Sequence, residues 1–360
     1  MTNHHRKQLY QTLEKLSNAY GISGFEEDIR SIITQELETV VDDIHTDALG
    51  NLVATKNGGE TSLMLAAHMD EIGLMIQSIE PEGFLRFVTL GGWHEQILLN
   101  NRVILHTDNG PVYGVIGSKP PHLLTAEEKK KDIKLDDLFI DIGAPDDKAV
   151  KKKNIAIGTP VTLDRRLQPL LDNKITGKAL DDRAGVAMLI EALKHTQSSA
   201  TIFFVGTVQE EVGLKGARTS AFHLEPDVAL VGETAVASDH PGGKKMDSSL
   251  GLGKGPAITV ADASGRGIIA SHHVLSWLRS TADTHHIPYQ LEVSKGGTTD
   301  AAAIHLTKEG IPSGVISIPT RYLHSGVEVL SLVDLEQGTE LFTRCLETVD
   351  TFFPNPNPSK

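Results

Sequence analysis

The sequence predicts an α/β protein, a mixed-sheet α/β/α domain in two pieces with a small all-β, barrel-like module inserted between them. Three observations predict it. Residues 1–70 and 164–360 alternate apolar runs that read as buried strands with helical patterns. Residues 71–163 carry short strand patterns punctuated by glycine, and little helix. The length of 360 residues suits one large domain plus an insertion, at about 150 residues per domain.

The elements follow in order. Leu9, Leu13, Leu16 and Tyr20 recur at helical spacing and Gly21 follows as a stop. Ser23 with Glu26 three residues on has the form of a capping box, and Ile29, Ile33 and Leu37 continue one face of a second helix. DALGNLVATKN (47–57) reads as a hairpin strand with Gly58-Gly59 as a turn. SLMLAAH (62–68) is a continuous apolar run of the kind buried in mid-sheet. GFLRFVTLGG, NRVILHT, PVYGVIGS, LFIDIGAP and GTPVTLD supply the strands of the insertion. Within it, PPHLLTAEEKKKDIKLDD (120–137) is polar and reads as a loop, with helix only near AEEKKK. ALDDRAGVAMLIEALKH (179–195) predicts a helix burying Ala184, Ala187, Met188 and Leu193. TIFFVGTV (201–208) and DVALVGE (227–233) are core strands. AITVADAS, a helix around HHVLSWLRSTADTH, YQLEVS, a helix around DAAAIHLTKEG and GVISIPT continue the alternation. A last helix runs from Asp334 to Phe352, and PNPNPSK reads as a frayed tail.

Composition narrows the function. Asp plus Glu is 47 against 34 Lys plus Arg, a net charge of −13, which excludes nucleic acid and an anionic membrane surface as main partners. A 22% charged and 39% hydrophobic chain is globular rather than disordered or fibrous. No apolar run reaches the roughly 18 residues of a membrane span, and MTNHHRKQLY does not read as a signal peptide. The single cysteine, Cys345, rules out an intramolecular disulfide and any Cys-built zinc site, and reads as a buried hydrophobe. A reducing, cytoplasmic location is the expectation.

Several predicted core strands end in carboxylates or histidines. Open α/β sheets bind ligands at the carboxyl ends of their strands, so these positions are read together. SLMLAAHMD ends in His68 and Asp70, which project to one side, so His68 can bind a metal while Asp70 orients its other ring nitrogen. Alone, H-x-D also arises by chance. KALDDRAG puts Asp181 and Asp182 at a helix start, where Asp also serves as an N-cap. TVQEEVGLKGA puts Glu210 and Glu211 just after an apolar strand. Neighbouring strand residues point opposite ways, so one can bind a metal and the other stand free as a base; a solvated pair looks the same. Glu233 ends DVALVGE, and His324 lies just beyond the last strand in IPTRYLHSG.

Together, His68, Asp181, Glu211, Glu233 and His324 form a mixed N/O donor set that suits zinc, cobalt or manganese. One carboxylate bridging two ions, with a His and an acid on each, makes a co-catalytic pair roughly 3.5–4 Å apart. Such a pair lowers the pKa of a shared water from about 15.7 towards about 7. Glu210 would take that proton and pass it to the leaving group, worth roughly 10²–10⁴-fold in rate.

AAHMDEIG (66–73), KALDDRAG (178–185), VQEEVGLKGARTSAF (208–222) and PTRYLHS (319–325) resemble the M42 family of metallo-aminopeptidases. FIDIGA (139–144) extends the resemblance through the insertion to nearly the whole chain. The resemblance implies a metallopeptidase catalytic domain over 1–70 and 164–360, and an inserted β dimerisation domain over 71–163. It implies two divalent ions per subunit, zinc first, with cobalt or manganese as alternatives. His68 would bind one metal, Asp181 would bridge both, Glu211 and Glu233 would each take one, and His324 would complete the site. Glu210 would be the general base, with Asp70 behind His68, and the Asp181–Asp182 peptide would be cis. Short peptides would lose their N-terminal residue, with a broad or neutral, Leu-like preference. Dimers built through the insertion would assemble into a hollow tetrahedral dodecamer. Three departures stand out: Glu233 where many relatives have Asp, GGTTDAA (296–302) with Thr298 and Ala302 in place of glycines, and GGWHEQ (91–96), whose Trp93 reads as packing or interface.

Other readings fit less well. A related M20-type deacylase or carboxypeptidase shares the order of ligands but matches LDDRAG and RYLHS less closely. A non-catalytic scaffold would have degenerate ligands, and every candidate here is of a metal-binding type. A glycosidase needs two carboxylates and no His-bound metals. GLGKGP (251–256) and HPGGKK (240–245) do not match the P-loop pattern and read as turns.

Overall fold

The structure, a computed structural model, describes residues 3–243 and 248–354. Most of PNPNPSK, the last two lysines of HPGGKK and the first two residues of MTNHHRKQLY lie outside these. Helices α1 (Asn3–Asn18) and α2 (Glu27–Leu37) open the chain. α2 starts behind Glu26 with no side-chain cap. The Ser23 hydroxyl, expected to cap it, instead donates to Asp70 Oδ2 at 2.6 Å. Strands β1 (Asp43–Thr46) and β2 (Leu52–Lys56) form a hairpin, and β3 (Ser62–His68) is buried at every residue.

The chain then leaves the sheet. Strands β4 (Gly73–Ile79), β5 (Leu85–Leu90), β6 (Arg102–Thr107), β7 (Gly110–Gly117), β8 (Phe139–Asp141) and β9 (Pro160–Leu163) close a barrel in the order β4-β5-β8-β7-β6-β9. Leu74, Phe87, Leu105, Ile140 and Val161 fill its interior. The polar 120–137 segment holds only short 3-10 turns, and helix α3 (Asp147–Lys151), which the sequence reading missed, precedes β9.

After the barrel come β10 (Gln168–Pro169), β11 (Lys174–Gly177), α4 (Leu180–His195), β12 (Thr201–Thr207), α5 (Lys215–Leu224) and β13 (Val228–Val236). Then follow β14 (Ala257–Ala261), α6 (His272–Thr284), β15 (Gln290–Val293), α7 (Ala301–Ile304), β16 (Ser313–Arg321), β17 (Glu328–Ser331) and α8 (Leu332–Phe352). The helix expected over 300–310 is only the single turn of α7.

These strands build one mixed sheet ordered β1-β2-β12-β3-β13-β16-β17-β11-β10, with β14 on β16 and β15 on β14. The central pairs β12–β3, β3–β13 and β13–β16 are parallel and the flanking ones mostly antiparallel. Two-residue alternation sorts the side chains between two helical layers. Leu63, Leu65 and Ala67 of β3 pack with Leu230, Ile316 and the apolar faces of α1, α2, α4, α6 and α8. Met64 and Ala66 join Val231 and Val315 beneath Ala217 and Ala221 of α5 and Ile304 of α7. Cys345 is buried and free in the first layer. Among the described residues no helix is long and apolar enough to cross a membrane. Because β3, β12, β13 and β16 run the same way, their carboxyl ends share one edge. His68 pairs with Thr207 across it.

Candidate metal centre

The residues singled out in sequence come together at that edge, though not always on the element expected. His68 is the last residue of β3. Glu210 and Glu211 lie in a loop beyond β12, so loop geometry and not strand alternation separates them. Glu233 lies within β13, which continues three residues past it. Asp181 and Asp182 occupy an irregular first turn of α4, joined by a cis peptide as the resemblance implies. His324 follows β16 in a left-handed conformation, φ 56°.

Asp181 sits between the two imidazoles. Its Oδ1 is 3.2 Å from His68 Nε2, and its Oδ2 is 3.4 Å from His324 Nε2. Glu233 Oε1 lies 3.7 Å from His68 Nε2, and Glu211 Oε1 lies 3.4 Å from His324 Nε2. Donor atoms of His68, Asp181 and Glu211 fall within 4.8 Å of one another, as do those of His68, Asp182 and Glu233. Glu210 Oε2 is 3.9 Å from His68 Nε2. The cluster opens into a cavity of about 690 Å³.

The supporting bonds explain how these atoms are held. His68 Nδ1 lies 3.0 Å from the Asp70 backbone carbonyl, and the Asp70 carboxylate is farther, at 3.6 Å. A carbonyl only accepts, so Nδ1 carries the proton and Nε2 presents its lone pair to a metal. The Asp70 carboxylate, beside the ring at 3.6 Å, has a further role. It accepts the backbone N–H of Glu210 (2.9 Å) and of Glu211 (3.2 Å), and so fixes their loop. Sequence reasoning missed Glu328, buried on β17, whose carboxylate accepts the N–H of Asp181 (3.1 Å) and of His324 (3.0 Å). A lone acid in the strand pattern VEVLS gives no signal of that role. It missed Asp300 too, which takes the Thr207 hydroxyl.

The barrel also reaches the cluster. A Cβ on Gly92 would stand 2.8 Å from His324 Nδ1, so only glycine lets this loop approach so closely. Trp93 anchors the loop by donating its indole N–H to the carbonyls of Gly73 and Leu90, both at 3.1 Å.

Burial and mutual repulsion govern the electrostatics. Burial, with Asp181 nearby, pushes the Glu211 carboxyl up to about 8, and burial pushes Glu233 up to about 7. Burial raises Glu210 and Asp182 well above the carboxylate range. Burial works against a charged His68, but the carboxylates of Glu233, Asp181 and Asp70 outweigh it and raise its pKa. The hydrogen bond to Asp181 pushes His324 up to about 9. Burial would raise Asp181, yet hydrogen bonds from His324 and His68 hold it low. Asp182 Oδ2 is buried with no hydrogen-bond partner. A site with more carboxylates than two imidazoles can balance, and an orphan oxygen among them, fits divalent cations.

Comparison with known proteins agrees with this chemistry. The family described as M42 glutamyl aminopeptidase matches residues 50–341. The Escherichia coli protein FrvX is 38% identical over 341 residues, 94% of this chain and 95% of its own. Aminopeptidase APDkam598 from the archaeon Desulfurococcus kamchatkensis has a solved structure that superposes with a TM-score of 0.91 at 43% identity, over 95% of each chain. The TET1 peptidase of Pyrococcus horikoshii, described as assembling into a tetrahedron or a large octahedral shell, superposes at 0.84 with 36% identity, over 93% of this chain and 98% of its own.

Proposed function

The chain belongs to the M42 family of aminopeptidases, and from that premise we propose that it is a dinuclear metal-dependent enzyme that removes the N-terminal residue from short peptides. The observation that carries this reading is the position of Asp181, with one carboxylate oxygen toward His68 and the other toward His324. An imidazole on each side of one carboxylate, with Glu233 beside one and Glu211 beside the other, is a donor set for two adjacent divalent ions. His68 and Glu233 would serve one ion, His324 and Glu211 the other, and Asp181 both. Zinc is the first choice, with cobalt or manganese as alternatives, because every donor is N or O. Ions bound there supply Lewis acidity that polarises the scissile carbonyl and acidifies the attacking water.

The rest falls to the chain. Glu210 is the general base: its carboxylate accepts a proton from the attacking water and delivers it to the leaving amine. The burial that raises its proton affinity suits a group that must hold a proton briefly and return it. Asp70 is a positioning residue, holding the Glu210–Glu211 loop through its carboxylate and the His68 ring through its carbonyl.

The division into a catalytic domain of residues 1–70 and 164–360 and an inserted dimerisation domain of residues 71–163 belongs to the same proposal. So does a homo-oligomer, a dodecamer built from six dimers, which the tetrahedral assembly of the related TET1 peptidase supports. A cytoplasmic location is consistent with a single, buried cysteine. The broad or neutral, Leu-like preference expected from sequence belongs to the same proposal. The test is hydrolysis of aminoacyl-anilides by chelator-stripped protein with and without added zinc or cobalt. Metal-dependent release of anilide from free-amine substrates, with N-acetylated ones spared, supports the reading. Preference for N-acetyl amino acids would move the chain to the deacylase class.

A further inference from the structure

The loop that carries Glu210 is held by backbone donors that have no strand to pair with. β12 ends at Thr207, and each of the next four residues turns its N–H toward a side chain. Val208 donates to Asn51 Oδ1 at 3.0 Å, and Gln209 donates to Glu26 Oε1 at 3.2 Å. Glu210 and Glu211 donate to the two oxygens of Asp70, at 2.9 and 3.2 Å. The turn that follows takes the carbonyls. Val208 accepts the N–H of Gly216 at 3.0 Å, and Glu210 accepts those of Gly213 at 2.9 Å and Leu214 at 3.0 Å. Gln209 stands at φ 56°, a conformation that a residue with a Cβ keeps only where its surroundings over-determine it.

Of these acceptors, Glu26 is the carboxylate to which the mechanism gives no part. It lies in the turn between α1 and α2 and is 3% exposed. Its Oε1 also takes the N–H of Gly24, at 2.7 Å. The turn is itself fastened to the end of β3. The Glu71 N–H donates to the Gly21 carbonyl at 2.9 Å, and the Ser23 hydroxyl reaches the Asp70 carboxylate at 2.6 Å. The turn, the exit of β3 and residues 208–211 thus form one bonded unit behind Glu210, which lines the metal cavity.

Two properties of Glu26 can be told apart. Its negative charge favours the charged form of Arg183. Its oxygen reaches the Gln209 N–H. Burial pushes the Glu26 carboxyl up to about 7, against the pull of the Gly24 N–H. A group that is partly uncharged near neutral pH serves through the reach of its oxygen more than through its charge.

We propose that Glu26 is a positioning residue for peptide hydrolysis: by holding the Gln209 N–H it fixes the backbone from which Glu210 reaches the cavity. The proposal rests on the reading of Glu210 as the general base.

Glu26→Gln keeps the reach and removes the charge, whereas Glu26→Asp keeps the charge and stops one methylene short of Gln209. The test is kcat and KM for leucine anilide with both variants, each also made in the Glu210→Gln background. Rates are taken per metal-loaded chain, with metal content and Tm as controls. Glu26→Asp should lower kcat about 10- to 100-fold with KM little changed, the scale for a misplaced catalytic group. Glu26→Gln should lose far less. In the Glu210→Gln background Glu26→Asp should cost almost nothing further, because residues that act as a unit are not additive. A merely structural role would cost the same factor in both backgrounds, and a charge role would spare Asp and penalise Gln. Unchanged kcat in Glu26→Asp, equal loss in Glu26→Gln, or additivity with Glu210→Gln each overturns the proposal. Wild-type kcat in Glu210→Gln alone would instead remove the base reading, and the order of the two Glu26 variants would still decide whether this contact holds the loop.

Discussion

Replacing Gly92 by alanine tests whether the barrel holds the metal centre in place. The added Cβ would stand 2.8 Å from His324 Nδ1 and 3.1 Å from Cε1, roughly 0.7 Å inside ordinary contact for the nearer atom. The loop cannot easily retreat, because Trp93 pins it to Gly73 and Leu90. The imidazole is the softer partner, with 40% of its side chain exposed, so it swings outward. That motion carries Nε2 away from Asp181 Oδ2 and Glu211 Oε1, each now at 3.4 Å. Displacing a ligand's support commonly costs about 10- to 100-fold in metal affinity. The second ion should weaken by that factor and the first much less. Anilide hydrolysis should fall in step at limiting metal and recover with excess. The assay is a competition titration of stripped protein with a chelating dye, with Tm as the control for folding. Unchanged affinity for both ions, in a folded variant, would refute the claim that this loop seats His324.

Further outcomes follow from the same geometry. Glu210→Gln keeps the size of the side chain and removes the base, so it should bind metal normally and lose about 10²–10⁴-fold in kcat. Glu328→Ala strips the acceptor from the N–H groups of Asp181 and His324, leaving each unpaired at about 1–3 kcal/mol. Both a lower Tm and weaker binding of both ions should result, measured by calorimetry. Stripped protein should lose stability as pH rises from 5 to 8.5. Glu233 at about 7 and Glu211 at about 8, against an ordinary 4.5, hold protons in the folded state that the unfolded chain releases. Their stabilisation is complete below 4.5 and fades as pH passes through 7 and 8. The raised His68 and His324 act in the same direction, and Asp181, shifted down, has completed its contribution below this window. A loss of about 2 kcal/mol would lower Tm by about 3 °C by scanning calorimetry, and metal should abolish the trend.

The parts of the fold that were legible in sequence are those where one physical signal dominates. The apolar run of β3 has no polar face, so only mid-sheet burial suits it. The helices α1, α2 and α8 show their buried stripes directly. α5 was missed because KGARTSAFHL buries little beyond Ala217 and Ala221, so its stripe is made of small residues. The capping box at Ser23 had the right spacing, but a buried Asp70 within 2.6 Å competes for the hydroxyl and wins. The candidate ligands could be named because acids and histidines at strand ends have no structural use. Glu328 and Gly92 could not, because each acts across contacts between segments far apart in sequence.

The central claim is that Asp181 joins two metal sites in one chain. The most direct measurement is metal content per chain by mass spectrometry, after saturation and desalting, for the wild type, His68→Ala, His324→Ala and Asp181→Asn. Two ions in the wild type, one in each histidine variant and fewer than one in Asp181→Asn is the predicted result. A single ion in the wild type, lost equally in both histidine variants, would contradict it.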